Sequence, residues 1–213
     1  MTRDRTISIL FMIGSACFAL GAVPGYVGAV GVTADGVTFF VGSLFFTAAG
    51  FGQFLQSEHA GRRRYRDRGW WAALIQLAGT LFFNASTLHA LASNLSALQQ
   101  DQQVWRPDAY GSACFLVASA LSLTLFGGRW MAWRPHERPW WIAVVNMCGS
   151  VAFGASAVAS YVIPDSGLPR NVTLVNLGTF VGALCFLVGA YLLLPRPSAQ
   201  PAPASAGGTP TAS

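Results

Sequence analysis

Trp70-Trp71-Ala72-Ala73-Leu74-Ile75-Gln76-Leu77-Ala78-Gly79-Thr80-Leu81-Phe82-Phe83 can be laid without a gap over Trp140-Trp141-Ile142-Ala143-Val144-Val145-Asn146-Met147-Cys148-Gly149-Ser150-Val151-Ala152-Phe153. Both segments open on paired tryptophans, carry no charge and stay apolar well past the quoted residues. Neither alternates polar and apolar side chains, so neither reads as a strand. Each is the start of a run of about 20 residues, the length a helix needs to cross hydrocarbon.

Working outward, six such stretches follow one another: about 7–30, 37–55, 71–92, 109–128, 141–163 and 172–194. None contains Asp, Glu or Arg. Lipid offers no partner to backbone N–H and C=O groups, so each stretch is expected as an α-helix. Continuous apolarity argues against a β-barrel, whose strands alternate. The composition agrees. Of 213 residues 53% are hydrophobic and 10% charged, and the mean hydropathy is +0.47. A soluble domain carries about 25% charge, so a soluble enzyme and a disordered chain are both excluded. Four cysteines are too few for a disulfide scaffold. The first stretch follows Arg3 and Arg5, as a signal peptide would. It is long for one, and its Gly14-Ser15-Ala16-Cys17-Phe18 recurs as Gly111–Phe115, so a retained helix is expected.

The basic excess is arginine alone, with a net charge of +5. Arg3, Arg5, Arg62, Arg63, Arg64, Arg66, Arg68, Arg129, Arg134, Arg138 and Arg196 fall on one side of the six-span reading; only Arg106 and Arg170 fall on the other. The positive-inside rule then places both termini in the cytoplasm. Trp70, Trp71, Trp130, Trp133, Trp140 and Trp141 lie at that same face, where amphipathic rings suit the headgroup layer. Residues 1–195 read as the transmembrane domain. Residues 196–213, rich in Pro, Ala and Ser, read as a disordered tail.

The duplication extends further. Gly111-Ser112-Ala113-Cys114-Phe115 matches Gly182-Ala183-Leu184-Cys185-Phe186, Gly14-Ser15 and Phe18 join the odd-numbered stretches, and Gly42-Ser43-Leu44-Phe45-Phe46 joins the even ones. The expected architecture is all-α: three tandem, parallel two-helix hairpins over about 7–55, 71–128 and 141–194, related by an axis along the membrane normal. Gln76, Gly79, Thr80, Phe83, Asn84 and Thr87 follow one another at helical steps, as do Asn146, Gly149, Ser150, Phe153 and Gly154. Small residues let helix backbones approach and hydroxyls bond across the contact, so these stripes are expected to be packing faces.

The residues Phe39-Phe40-Val41-Gly42-Ser43-Leu44-Phe45-Phe46, and Leu177-Gly178-Thr179-Phe180 through Gly189 followed by Leu194-Pro195-Arg196-Pro197, resemble the YrhK-like family of small bacterial membrane proteins. That unit is a pair of helices with a Phe-x-x-Gly-Ser type core, and the resemblance spans most of residues 7–197 as successive hairpins. It implies a bacterial cytoplasmic membrane location and supplies no catalytic residues. This chain departs from it in having three hairpins where a minimal member has one.

Chemistry-bearing groups are few. His89, at the outer end of the third stretch, reads either as a proton or metal site or as an interfacial histidine bonded to a neighbour; with no co-ligand the second is favoured. Gln76 and Asn146 sit at similar depth on two helices and either line a polar pocket or tie the bundle together, and the tie is favoured; Asn84 shares that status. Cys17, Cys114, Cys148 and Cys185 show no Cys-x-x-Cys spacing and read as small apolar residues. The Arg62, Arg63, Arg64, Arg66 and Arg68 cluster marks topology and offers a surface to anionic lipid headgroups; nucleic acid is not expected as a partner. Asn94-Leu95-Ser96 and Asn171-Val172-Thr173 match the glycosylation triplet, which has no meaning in a bacterial host. Phosphate loops, paired carboxylates and serine-nucleophile motifs are lacking, so no enzyme activity, metal or cofactor is expected. The reading is a non-catalytic multi-pass membrane protein acting through helix packing, lipid contact, or association with a second copy or another membrane protein. The alternative is a transporter or channel for a small neutral solute.

Overall fold

The computed structural model describes residues 3–59, 67–92, 95–126, 133–163 and 168–195. The regular elements among them are helical: α1 (Arg3–Gly21), α2 (Tyr26–Val30), α3 (Val32–His59), α4 (Arg68–His89), α5 (Ala97–Gln99), a π-helical turn (Gln100–Trp105), α6 (Arg106–Thr124), α7 (Arg138–Ala159) and α8 (Val172–Leu193). One isolated antiparallel bridge joins Val162 to Pro169.

Five helices are long and apolar enough to cross a membrane: α1, α3, α4, α7 and α8. The fourth apolar stretch, expected at about 109–128, lies in α6, which begins earlier and stops at Thr124. Its 19 residues take in Arg106, Pro107 and Asp108, and that polar first turn lowers its hydropathy. The first stretch also differs from expectation. It does not run as one helix to residue 30 but stops at Gly21. Pro24 has no N–H to continue the ladder. Gly25 and Gly31 take φ of +91° and +86°, a region open to glycine and costly for other residues. The single turn of α2 sits between them. Conversely, α3 starts five residues before its apolar stretch and ends four beyond it.

The large helices pack with all neighbours antiparallel. A Cβ added at Gly14 would meet the Gly42 carbonyl at 2.9 Å, and one at Gly42 would meet the Gly14 carbonyl at 3.1 Å, so α1 and α3 touch backbone to backbone. The same approach occurs between Gly79 and Gly111 (α4 on α6) and between Gly149 and Gly182 (α7 on α8). Hydroxyls and amides join the remaining neighbours. Thr87 Oγ1 and Ser43 Oγ are 3.0 Å apart, and Asn84 Nδ2 donates to Thr47 Oγ1 at 2.8 Å, both linking α4 to α3. Ser119 and Ser150 share a 2.8 Å bond between α6 and α7. α8 packs back against α1 and closes the ring.

The centre of the ring is aromatic. Phe18, Phe83 and Phe153 form one triangle, with ring centroids 5.9–6.3 Å apart. Phe46, Phe115 and Phe186 form a second, at 5.4–6.4 Å. Three rungs of 5.2–5.4 Å, Phe18–Phe46, Phe83–Phe115 and Phe153–Phe186, join the two. The outside is the reverse of a soluble protein. Ser8, Ser15, Ser43, Thr80 and Ser150 are fully buried, whereas Leu81, Val158 and Leu177 are each more than half exposed. Apolar surface of that extent needs lipid to cover it.

Candidate functional site

Antiparallel packing brings the starts of α1, α4 and α7 to one end of the ring, together with the last turns of α3, α6 and α8. Arg3, Arg68 and Arg138 lie there. Arg68 Nη1 reaches the Thr124 carbonyl at 3.4 Å and Arg138 Nη2 the Tyr191 carbonyl at 3.5 Å, so each guanidinium stands over the C-terminal, partly negative end of the next helix. Trp70, Trp71, Trp140 and Trp141 form a layer at the same end. Trp70 and Trp71 meet edge to face at 4.9 Å, as do Trp140 and Trp141. The Trp70 indole donates to Glu58 at 2.6 Å, and the Trp141 indole to the Pro135 carbonyl at 2.9 Å. Asp67 caps α4 by accepting from the Gly69 N–H at 2.8 Å.

From this end an open recess of about 390 Å³ leads inward, lined by Gln53, Gln56, Ser57, Asp67, Gln76 and Ser122. Gln53 and Gln76 also line a second, smaller cavity of about 50 Å³ further in. Asn146 and Gly189 face it from α7 and α8, and Phe11, Ile142, Phe186, Ala190 and Leu193 complete its wall. By helix rise, Gln76 and Asn146 lie about 12 Å in from Arg68 and Arg138. The Phe186 ring belongs both to the cavity and to the central aromatic cluster, which closes the inner end.

Sequence spacing put Gln76 and Asn146 at one depth, and the structure brings them to one cavity. Both side chains line that cavity, beside Gln53 and Gly189. Gln53 was not among the anticipated residues. Its side-chain oxygen is buried and has no partner among the described residues. An amide inside an otherwise apolar stretch was the available signal, but nothing in the repeat matches it: Gln53 has no equivalent amide in α6 or α8. Gly189 was likewise missed. A Cβ there would fall on Asn146 Oδ1, so glycine makes the room that the amide occupies.

The other anticipated residues do not join the cavity. Asn84 was placed on the Gln76 stripe; eight residues at about 100° each leave it about 80° round the helix, where it bonds to Thr47 and ties α4 to α3. His89 lies exposed at the end of α4, 2.7 Å from the Ala85 carbonyl of its own helix. The four cysteines are free, and Cys17, Cys114 and Cys185 pack against Gly42, Gly79 and Gly149. Of the arginine cluster only Arg68 is described; Arg62, Arg63, Arg64 and Arg66 lie outside the described residues, as does the 196–213 tail. Asn171 of the second glycosylation triplet caps α8, its side chain accepting from the Leu174 N–H at 3.0 Å. Among the described residues no group of three His, Cys, Asp or Glu could hold a metal ion.

At the opposite end, Ser96 and Gln99 form a capping box on α5, and the π-helical turn is held down by two bonds. The Trp105 indole donates to the Ala157 carbonyl at 2.9 Å, and Ser86 Oγ to the Val104 carbonyl at 2.9 Å. Arg106 and Asp101 pair at 2.8 Å beside Trp105 and Tyr161, whose rings meet edge to face at 4.9 Å. Compared with known proteins, the chain matches no family model, no curated protein and no solved structure.

Proposed function

We propose that the chain is a non-catalytic, multi-pass protein of a bacterial cytoplasmic membrane, with six spans in three tandem two-helix repeats and both termini in the cytoplasm. The observation that carries this reading is the glycine approach recurring at Gly14–Gly42, Gly79–Gly111 and Gly149–Gly182. It supports α6 as a span, because α6 takes the same place against α4 that α3 takes against α1 and α8 against α7. The aromatic triangles and the arginines at one end favour the same arrangement. The Phe-x-x-Gly-Ser likeness to YrhK-like proteins belongs to the proposal too. Helix packing and lipid contact are its working surfaces, with anionic headgroups meeting the arginine end and a second copy or another membrane protein meeting the apolar flanks.

Reporter fusions test it. A reporter active only outside the cytoplasm should be silent after Tyr65 and after Trp133, and active after Leu95 and after Asp165. Tyr65 and Trp133 in opposite compartments would remove α6 from the membrane and overturn the six-span reading.

A second reading, passage of a small neutral solute, is favoured by one observation: the open recess and the inner cavity share Gln53 and Gln76. Purified protein in liposomes should leave permeability to urea and glycerol unchanged under the first reading. Selective, saturable uptake that disappears in Gln76→Leu/Asn146→Leu would replace it with the second.

A further inference from the structure

We propose that the inner cavity bounded by Gln53, Gln76, Asn146 and Gly189 is a binding site for a small, uncharged, amide-like solute that enters from the arginine end. The proposal rests on the reading of the arginine end as water-facing; it holds whether or not the solute crosses.

Size is set first. About 50 Å³ is room for a few waters or for one molecule of a few heavy atoms. Gly189 belongs to that limit, since a side chain there would have to displace the Asn146 amide from its present position. Charge is set next. Among the lining residues none ionises, and a charge taken about 12 Å down the helices without a counter-charge is costly. Polarity follows from the amides. The Gln53 oxygen is buried without a partner, and leaving such an acceptor unfilled costs about 1–3 kcal/mol. An occupant must therefore offer an N–H or O–H. Gln76 and Asn146 each present both donors and an acceptor, so an occupant that also accepts is held at more points than one that only donates. Phe11, Ile142 and Leu193 leave an apolar wall for a methyl group. An amide of acetamide size satisfies all four conditions.

The other recesses carry less. The groove between the end of α1 and the start of α8 is mostly apolar, and the hollow beside Trp105 is built round an ion pair already satisfied.

The test uses the full-length protein in lipid nanodiscs and saturation-transfer NMR on the methyl signal of acetamide. Transfer well above that of empty nanodiscs is expected, reduced by added urea. Acetamidinium, of the same shape but charged, should show at least tenfold less. Gly189→Val and Asn146→Leu should each bring the acetamide signal to the empty-nanodisc level while keeping the size-exclusion profile. If Asn146→Leu fails to insert, Gln53→Leu takes its place. No transfer to the wild-type protein, equal transfer to acetamide and acetamidinium, or an unchanged signal in the cavity variants would each overturn the assignment. The fusion experiment reads topology separately, so a failed site and a failed topology are told apart.

Discussion

Two serines at corresponding helix positions illustrate how much a single hydroxyl depends on its neighbour. Ser150 is fully buried, bonds to Ser119 at 2.8 Å and donates to the Phe115 carbonyl at 3.1 Å. Ser15 is equally buried, but its hydroxyl has no partner among the described residues. The facing helix offers Ser119 to Ser150, and the position of α8 that corresponds to Ser119 in the repeat is Ala190, which has no hydroxyl. Ser150→Ala should destabilise the protein by about 0.6–1.7 kcal/mol, the range for hydrogen bonds between membrane helices. Ser15→Ala should be neutral or stabilising by up to about 1 kcal/mol, because it removes an unsatisfied group. Denaturation of both variants in one detergent checks this; two losses of equal size would show that Ser15 has a partner. At this scale the sequence was partly legible. The stripe of Gly79, Thr80 and Phe83, and its counterpart of Gly149, Ser150 and Phe153, is visible as helical steps, because periodicity is a local property. Which member of a stripe finds a partner is not, because the partner lies on another helix. Gln53 went unread for that reason: its importance comes from facing Asn146 and Gly189, more than ninety residues away.

Among the elements, the stretch least well read is the segment after α1. Hydropathy runs almost unbroken from Ile7 to Val30, so composition alone sees one helix. Backbone geometry sees two helices, α1 and the single turn of α2, since Pro24 lacks a donor and Gly25 and Gly31 take positive φ. Gly31, at φ +86° and ψ 159°, lies in a region open essentially to glycine, so Gly31→Ala should cost about 1–3 kcal/mol from backbone strain alone, although a Cβ there meets nothing within 4 Å. Gly28→Ala, in the intervening turn and equally open, should gain a few tenths of a kcal/mol by helix propensity. Comparing the two melting temperatures separates strain from space. Equal shifts would mean that the positive φ is not imposed by the fold. The π-helical turn at Gln100–Trp105 also lay beyond sequence reading. Its register is held from outside, by Ser86 and by the contact of Trp105 with Ala157.

For the whole molecule, the aromatic cluster is where the helices of all three antiparallel pairs meet. Phe46 is 1% exposed and touches Phe11, Phe18, Phe115 and Phe186. In a soluble core Phe→Ala costs about 3–5 kcal/mol, partly through lost transfer from water. In lipid the separated helices keep an apolar surrounding, so mainly the packing part remains. Phe46→Ala is therefore expected to cost about 2–3 kcal/mol. The double change Phe46→Ala/Phe115→Ala should cost less than the sum of the two, since both enlarge one void. Strict additivity in a double-mutant cycle would argue that the rings do not share a core. The general outline, apolar helices with small-residue contacts, was legible because length, hydropathy and residue size can be read along the chain. The cavity was legible by half. Gln76 and Asn146 announced themselves through the duplication, while the glycine that makes room for one of them looked like any other small residue.

The contact between α8 and α1 has a consequence for chain connectivity. Because the last large helix lies against the first, no seam in the assembly is privileged by its position along the backbone. The order of the pairs is then a covalent convenience, and a circularly permuted polypeptide, joined across the old ends and opened between α3 and α4 or between α6 and α7, would retain the same set of neighbours.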